Sequence, residues 1–184
     1  MKSSLSLNGS SRDQHLKGPY QTIMKKTDKT EKTNVCRLLD QKKIPYVFHT
    51  YPHGEEATPG LEVAKLTGTD PGKVFKTLVT VGAKGSHYVF VIPVTQELDL
   101  KKAAKAAGEK SISMLHVNDL LPLTGYIRGG CSPIGMKKLF PTFFDDSASS
   151  VSPILVSAGK IGAQVEVDIQ DLLTMTRGKL ASLT

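Results

Sequence analysis

Three short segments of this 184-residue chain carry residue types that could do chemistry together. The first, VFKTLV at 74–79, sets Lys76 and Thr77 among the apolar residues Val74, Phe75, Leu78 and Val79. A lysine is rarely buried without a partner, so this ammonium is either a snorkelling edge-strand residue or a fixed positive charge in a pocket. The second, TGYIRGGCSPIG at 124–135, supplies Gly125, Gly129, Gly130 and Gly135, with Ser132 before Pro133. The third, VSAGKIG at 156–162, places Ser157, Gly159, Lys160 and Gly162 directly after the apolar run Ile154–Val156. Glycines at strand ends let backbone N–H groups approach a ligand closely, where they can hold a carbonyl oxygen or a phosphate. Each segment alone reads as a turn. Together they describe a polar cleft lined by backbone amides and one or two lysines.

Other chemistries find little support. The chain has no G-x-S-x-G elbow, no H-E-x-x-H and no P-loop. His49 and His53 flank TYP, which is strand-like, and strand residues four apart lie about 13 Å from each other, too far to share a metal. Asp145 and Asp146 are adjacent and point to opposite faces of a strand, so they make no acid–base pair. Cys131 lies in a glycine-rich loop, yet no helix N-terminus or cation that would lower its pKa is visible, so it reads as a small buried thiol. Cys36 sits among helical residues and reads as core. Two cysteines make neither a disulfide scaffold nor a zinc motif, and a reducing cytosol is the compartment they fit. No metal or cofactor is expected.

The elements that must position these segments follow from pattern. Residues 1–23 are rich in Ser, Gly, Asn and charge, without hydrophobic periodicity, and read as a disordered extension ahead of one domain at 24–184. The net charge is +7, but residues 1–30 hold six Lys or Arg against Asp13 and Asp28. Most of the basicity therefore belongs to the extension, and nucleic-acid binding is permitted rather than demonstrated. No apolar run is long enough to span a membrane, and the N-terminal residues lack the apolar h-region of a secretory leader, so none is expected. The spacing predicts helices over 31–43, over 59–68 with Thr58 as N-cap and Gly68 as stop, and over 99–108 with Gly108 as stop. A helical turn capped by Asn118 and a last helix capped by Asp168 follow. Strands are predicted in IPYVFHTYP, KVFKTLVTVG, HYVFVIPVT, SISMLHV, TFFDDS, PILVSAG and QVEVD, the second and third forming a hairpin across AKGS. Helices and strands mix without regular βαβ alternation, which indicates an α+β domain.

The ordered series HTYPH, FKTLV, LDLKKAAKAAG, TGYIRGGCSPIG with the following KK, and VSAGKIG resembles the YbaK/EbsC family. These are aminoacyl-tRNA deacylases related to the editing domain of bacterial prolyl-tRNA synthetases. The likeness covers about residues 31–178 and is strongest to the branch that removes cysteine from mischarged prolyl-tRNA. It implies a mixed, barrel-like β-sheet core surrounded by helices, and no cofactor. It implies that Lys76, in the FKT motif, is the catalytic residue. It also implies that Tyr51, Thr77, Gly129, Gly130, Ser132, Ser157 and Gly159 contact substrate. Two departures stand out: Pro59 replaces an aromatic before the G-x-E segment, and Gln164 stands where some members are acidic.

The implied reaction is a substrate-assisted, trans-editing deacylation of Cys-tRNA(Pro), with Cys-tRNA(Cys) as a further substrate, in the hydrolase or lyase class. The cysteine's own thiol attacks its ester carbonyl, and the protein holds the ester in a reactive shape, worth roughly 7–11 kcal/mol when the reacting atoms are aligned. The implied partners are aminoacyl-tRNA, chiefly tRNA(Pro), and prolyl-tRNA synthetase, in the cytoplasm and away from membranes. Two other readings stay open: alanine removal from Ala-tRNA(Pro), and a non-catalytic module that recognises tRNA ends or a nucleotide.

Overall fold

The computed structural model describes residues 32–184, so the predicted extension at 1–23 lies outside the described residues. Helix α1 (Asn34–Gln41) is shorter than the predicted 31–43 and starts at a Thr33 cap, whose hydroxyl accepts from Cys36 N–H. Strand β1 (Val47–Thr50) follows. Helix α2 (Gly60–Thr67) begins one residue later than expected, with Pro59 rather than Thr58 in the cap position and no side-chain cap bond. Proline tolerates that place because a first-turn N–H has no helical partner anyway. Gly68 closes α2 in the left-handed region, as predicted.

A one-turn 3-10 segment (Pro71–Lys73) delivers the chain into β2 (Phe75–Gly82), which forms the expected antiparallel hairpin with β3 (His87–Pro93). Helix α3 (Leu100–Ala107) runs from the Asp99 carboxylate, which accepts from Lys101 and Lys102 N–H, to a left-handed Gly108. Strand β4 (Ile112–Met114) pairs with the far end of β2. Helix α4 (Val117–Thr124) is capped by His116, not by Asn118: the imidazole accepts from Asn118 N–H, so the cap lies two residues earlier than sequence suggested. Then come β5 (Thr142–Asp145), a short α5 (Ala148–Val151), β6 (Ile154–Ser157), β7 (Ala163–Val167), α6 (Ile169–Thr176) capped by Asp168, and β8 (Lys179–Ala181).

The strands form two sheets, ordered β1-β7-β6 and β4-β2-β3-β5-β8. The first is antiparallel throughout; in the second, β3–β5 and β5–β8 are parallel. A single parallel bridge between Val74 and Leu155 joins β2 to β6 and hence one sheet to the other. The strand pairing among the described residues does not close into a ring. The inward faces of both sheets share the main core, with Val79, Val89 and Val91 facing Val156, Val165 and Val167, and with α1 contributing Val35 and Leu39. Helix α3 covers the other face of β2–β3 through Ala103 and Ala104 against Phe90 and Ile92. A third cluster, Ala64 with Val74 and Leu155, seats α2 over the junction between the sheets.

Asp145 is buried in β5 and holds the C-terminal segment: one oxygen accepts from Leu183 N–H at 3.0 Å, and the other accepts from the Ser147 N–H and hydroxyl. Its carboxylate is thus a structural acceptor. Among the described residues no helix is long and apolar enough to cross a membrane.

Candidate functional site

Register places the polar residues of the small sheet. His49 of β1 lies opposite Gln164 of β7, and Gln164 lies opposite Ser157 of β6. Directly paired strand residues share a face, so these three side chains form one row. The Val74–Leu155 bridge extends it, because Lys76 and Ser157 each stand two residues beyond that pair on strands running the same way. Two-residue steps keep a side chain on its face. The row therefore reads His49, Gln164, Ser157, Lys76, across four strands of both sheets.

Lys76 has a half-buried stem, 29% exposed, and its Nζ donates to Glu97 Oε1 at 3.3 Å. Glu97 is 94% exposed, so this contact is weak and easily exchanged for a ligand oxygen. His49 Nε2 lies 2.9 Å from Glu166 Oε2, a neighbour on the same face. With His49 so engaged, Gln164 is left alone: it is 6% exposed, and its Oε1 is buried without a hydrogen-bond partner among the described residues. A buried carbonyl oxygen without a donor is costly, and at a binding site it marks where a ligand donor belongs. Sequence singled out Gln164 only as a departure from a family pattern; its orphaned oxygen has no sequence signal.

Tyr51 continues past the end of β1. Its N–H donates to Gly162 O at 3.0 Å, alternation keeps it on the face of His49, and its ring meets His53 edge-on at 6.4 Å. Thr77 is different. Strand alternation turns it away from Lys76, to the side of Phe75 and Val79, where its hydroxyl is buried without a partner among the described residues. The expectation that Thr77 joins Lys76 in one pocket fails for that reason.

The two glycine-rich bends meet. A Cβ on Gly130 would lie 3.0 Å from the Lys160 Cα, and one on Gly129 would lie 2.5 Å from the Ala57 Cβ. Gly129 also has φ +84°, which side chains resist. The bend at 127–130, the bend at 158–162 and the loop before α2 are thus packed backbone against backbone. The expected amide contacts are mostly spoken for. Gly130 N–H donates to Ile127 O at 3.0 Å, and Gly159 N–H donates to Ser157 Oγ at 3.2 Å. These glycines make room; they do not present those two N–H groups. Ser132 is fully buried and its hydroxyl accepts from Ile134 N–H, so it stabilises its own turn.

Cys131 is buried, and burial pushes its thiol up to about 12. A nucleophile needs the opposite shift. Tyr126, whose hydroxyl donates to Ile134 O at 2.5 Å, is likewise raised to about 12, first by burial and then by the neighbouring Cys131.

Where the strands carrying the row end, an open cleft of about 640 Å³ begins, with His53, Glu55, Tyr126, Ile127, Gly159 and Lys160 among its walls. Of these, the sequence singles out Gly159 and Lys160, both in the VSAGKIG segment.

Residues 53–175 match the family model of the aminoacyl-tRNA editing domain. The chain is 49% identical over 161 residues to a protein of Enterococcus faecalis (strain ATCC 700802 / V583) named as a candidate Cys-tRNA(Pro)/Cys-tRNA(Cys) deacylase, EbsC, covering 88% of this chain and 98% of that protein. A crystal structure described as that of a candidate trans-editing enzyme for prolyl tRNA synthetase superposes with a TM-score of 0.70 at 25% identity, over 83% of this chain and 98% of the other. A hypothetical protein of known structure matches with a TM-score of 0.71 at 22% identity, over 80% and 96% of the two chains, and shares the fold.

Proposed function

The chain belongs to the aminoacyl-tRNA editing-domain family, and on that premise we propose that it is a trans-editing deacylase that removes cysteine from Cys-tRNA(Pro) and Cys-tRNA(Cys). The observation that carries this reading is the row of Lys76, Ser157 and Gln164, where one weakly engaged ammonium and one buried carbonyl without a partner among the described residues share a face, two strands apart. An aminoacyl ester has the complementary groups: a carbonyl oxygen that becomes negative in the transition state, and an α-ammonium that donates. Lys76 meets the oxygen, Gln164 Oε1 accepts from the ammonium, and Tyr51 with Ser157 bounds the side chain.

In this row Ser157 Oγ accepts from Gly159 N–H and His49 pairs with Glu166 rather than with the serine, and the buried, protonated Cys131 is no thiolate. The substrate thiol therefore does the work. Its sulfur forms a bond to the carbonyl carbon, the bond from that carbon to the ribose oxygen breaks, and the thiol proton ends on the ribose oxygen. The products are a small cyclic thioester and uncharged tRNA, which places the first step in the lyase class. The two-sheet wrap around one core is the barrel-like unit that presents this row, tRNA(Pro) bound to prolyl-tRNA synthetase is its partner, and the cytoplasm is its place of action. Thr77, Ser132, Gly129, Gly130 and Gly159 serve as the frame that fixes the row.

The test is a panel of deacylation assays on Cys-tRNA(Pro), Cys-tRNA(Cys) and Ala-tRNA(Pro), at catalytic protein concentration. Many turnovers on the two cysteinyl substrates and slow loss of alanine are expected. Faster loss of alanine would assign the alanine branch instead. Protection of the charged tRNA without turnover would make the protein a binding module.

A further inference from the structure

Resting on that reading of the substrate, we infer that the cleft beyond the polar row is a nucleotide subsite, which takes the phosphate and base of the single-stranded nucleotide preceding the aminoacylated adenosine. Position comes first. His53 lies two residues past Tyr51, and Gly159 two residues past Ser157, so the chain runs from the row directly into the cleft walls. A substrate whose ester sits on the row must send its preceding nucleotide somewhere adjacent. The volume of about 640 Å³ falls within the range of small-ligand sites.

Charge points the same way. Residues 31–184 carry a net charge of only +3. One cation, Lys160, nevertheless stands in the wall, with exposed Arg128 next to the lining residue Ile127 in sequence, while Lys137 runs its stem past Gly125 and donates its Nζ to Pro122 O at 3.3 Å. The lining carboxylate is Glu55, with exposed Glu56 next to it in sequence. Lys160 gives a phosphate one direct cationic contact in this wall. The remaining wall is apolar: Ile127 is half exposed, with Ile161 in the same lining, and together they give a base a dry face. Glu55 then has a role, since a carboxylate accepts from the exocyclic amine of cytosine or adenine. A simple phosphate site would need neither the isoleucines nor the glutamate.

The experiment is a fluorescence-anisotropy titration of the full chain with an uncharged RNA hairpin bearing a single-stranded 3′ tail, and with the same hairpin made blunt. It is repeated across salt concentrations and with inorganic phosphate as competitor. The parent is expected to favour the tailed hairpin. Lys160→Ala should weaken that binding about tenfold and flatten the salt slope by about 0.7–0.9, the signature of one lost phosphate contact to a single strand. Ile127→Asp should weaken the tailed hairpin and leave the blunt one as it was. Equal affinity of parent and both variants for the tailed hairpin overturns the subsite, as does complete displacement by inorganic phosphate. A parent that binds the tail through Lys160 but deacylates nothing overturns the deacylase reading and leaves the subsite standing. A parent that deacylates while neither variant changes tail binding overturns the subsite alone.

Discussion

Lys76 and Ser157 stand at one level of two strands that run in the same direction, each two residues past the Val74–Leu155 bridge. Residues 81 positions apart in sequence are thereby set side by side, on a seam between two sheets rather than in the middle of either. That seam is where a sheet face can stay polar: α2 covers the bridge itself and α3 covers the hairpin beyond, but the level of Lys76 and Ser157 lies past the apolar cluster around the bridge.

Replacing Lys76 by Ala should lower kcat/KM on Cys-tRNA(Pro) by roughly 10²–10³, the usual loss for one donor to a developing oxyanion. Stability should barely move, because its ion-pair partner among the described residues is the solvent-exposed Glu97. Single-turnover kinetics and circular-dichroism melting of parent and variant check both halves. An active Lys76→Ala protein would remove the ammonium from the mechanism.

Cys131→Ala should keep most of its activity, since the attacking sulfur belongs to the substrate, and should lose about 1 kcal/mol of stability to the small cavity. Its titration gives a second readout. The folded-state pKa of about 12 lies above the usual thiol value, so the folded protein holds this proton longer than the unfolded one. The resulting stability is intact below pH 9 and is lost as pH rises through the folded-state value. Denaturant melts between pH 8 and 11 should therefore fall less steeply for Cys131→Ala than for the parent, with Tyr126 supplying part of the residual slope. A folded but inactive variant would instead mean an enzyme thiol.

Gly129→Ala should destabilise the protein by about 1–3 kcal/mol. The new methyl meets Ala57 at 2.5 Å, and φ is +84°. Gly54→Ala is the control, because nothing lies within 4 Å of its Cβ position. Thermal melts of the two should separate by several degrees. Similar melting temperatures would mean that the bends are not packed as tightly as their geometry indicates.

Much of this arrangement was legible in the sequence because it is local. The β2–β3 hairpin, the glycine stops at Gly68 and Gly108 and the Asp168 cap depend on neighbouring residues, and their signals are strong. The cap at His116 was missed because imidazole is a less common cap than the asparagine two residues on. The short β8 and the parallel β3–β5–β8 pairing were missed because they rest on long-range contacts, such as the Asp145 bond to Leu183 N–H. At the site, Lys76 and Ser157 stood out as polar residues beside apolar runs. Their adjacency did not, since it depends on one bridge. The motif assigns ligand contacts to Ser132 and Thr77; in the fold Ser132 is buried in its own turn, and strand alternation sets Thr77 on the face opposite Lys76.

Gln164 provides the sharpest test, because stability and function should move in opposite directions. Its Oε1 is buried without a donor, so the folded protein bears the cost of a desolvated, unpaired acceptor. Gln164→Leu keeps similar bulk and removes that acceptor. The variant should melt as high as the parent or higher, by up to about 1–3 kcal/mol if the surrounding strands accept the branched side chain without strain. The same change removes the group that receives the substrate ammonium, so kcat/KM for Cys-tRNA(Pro) should fall by about tenfold. Gln164→Glu keeps an acceptor and adds charge, and should retain more activity than the leucine variant while melting lower, since a buried carboxylate is expensive. Chemical denaturation and deacylation kinetics on the three proteins decide the matter. A leucine variant that is less stable yet fully active would show that the amide supports the sheet and has no part in holding substrate.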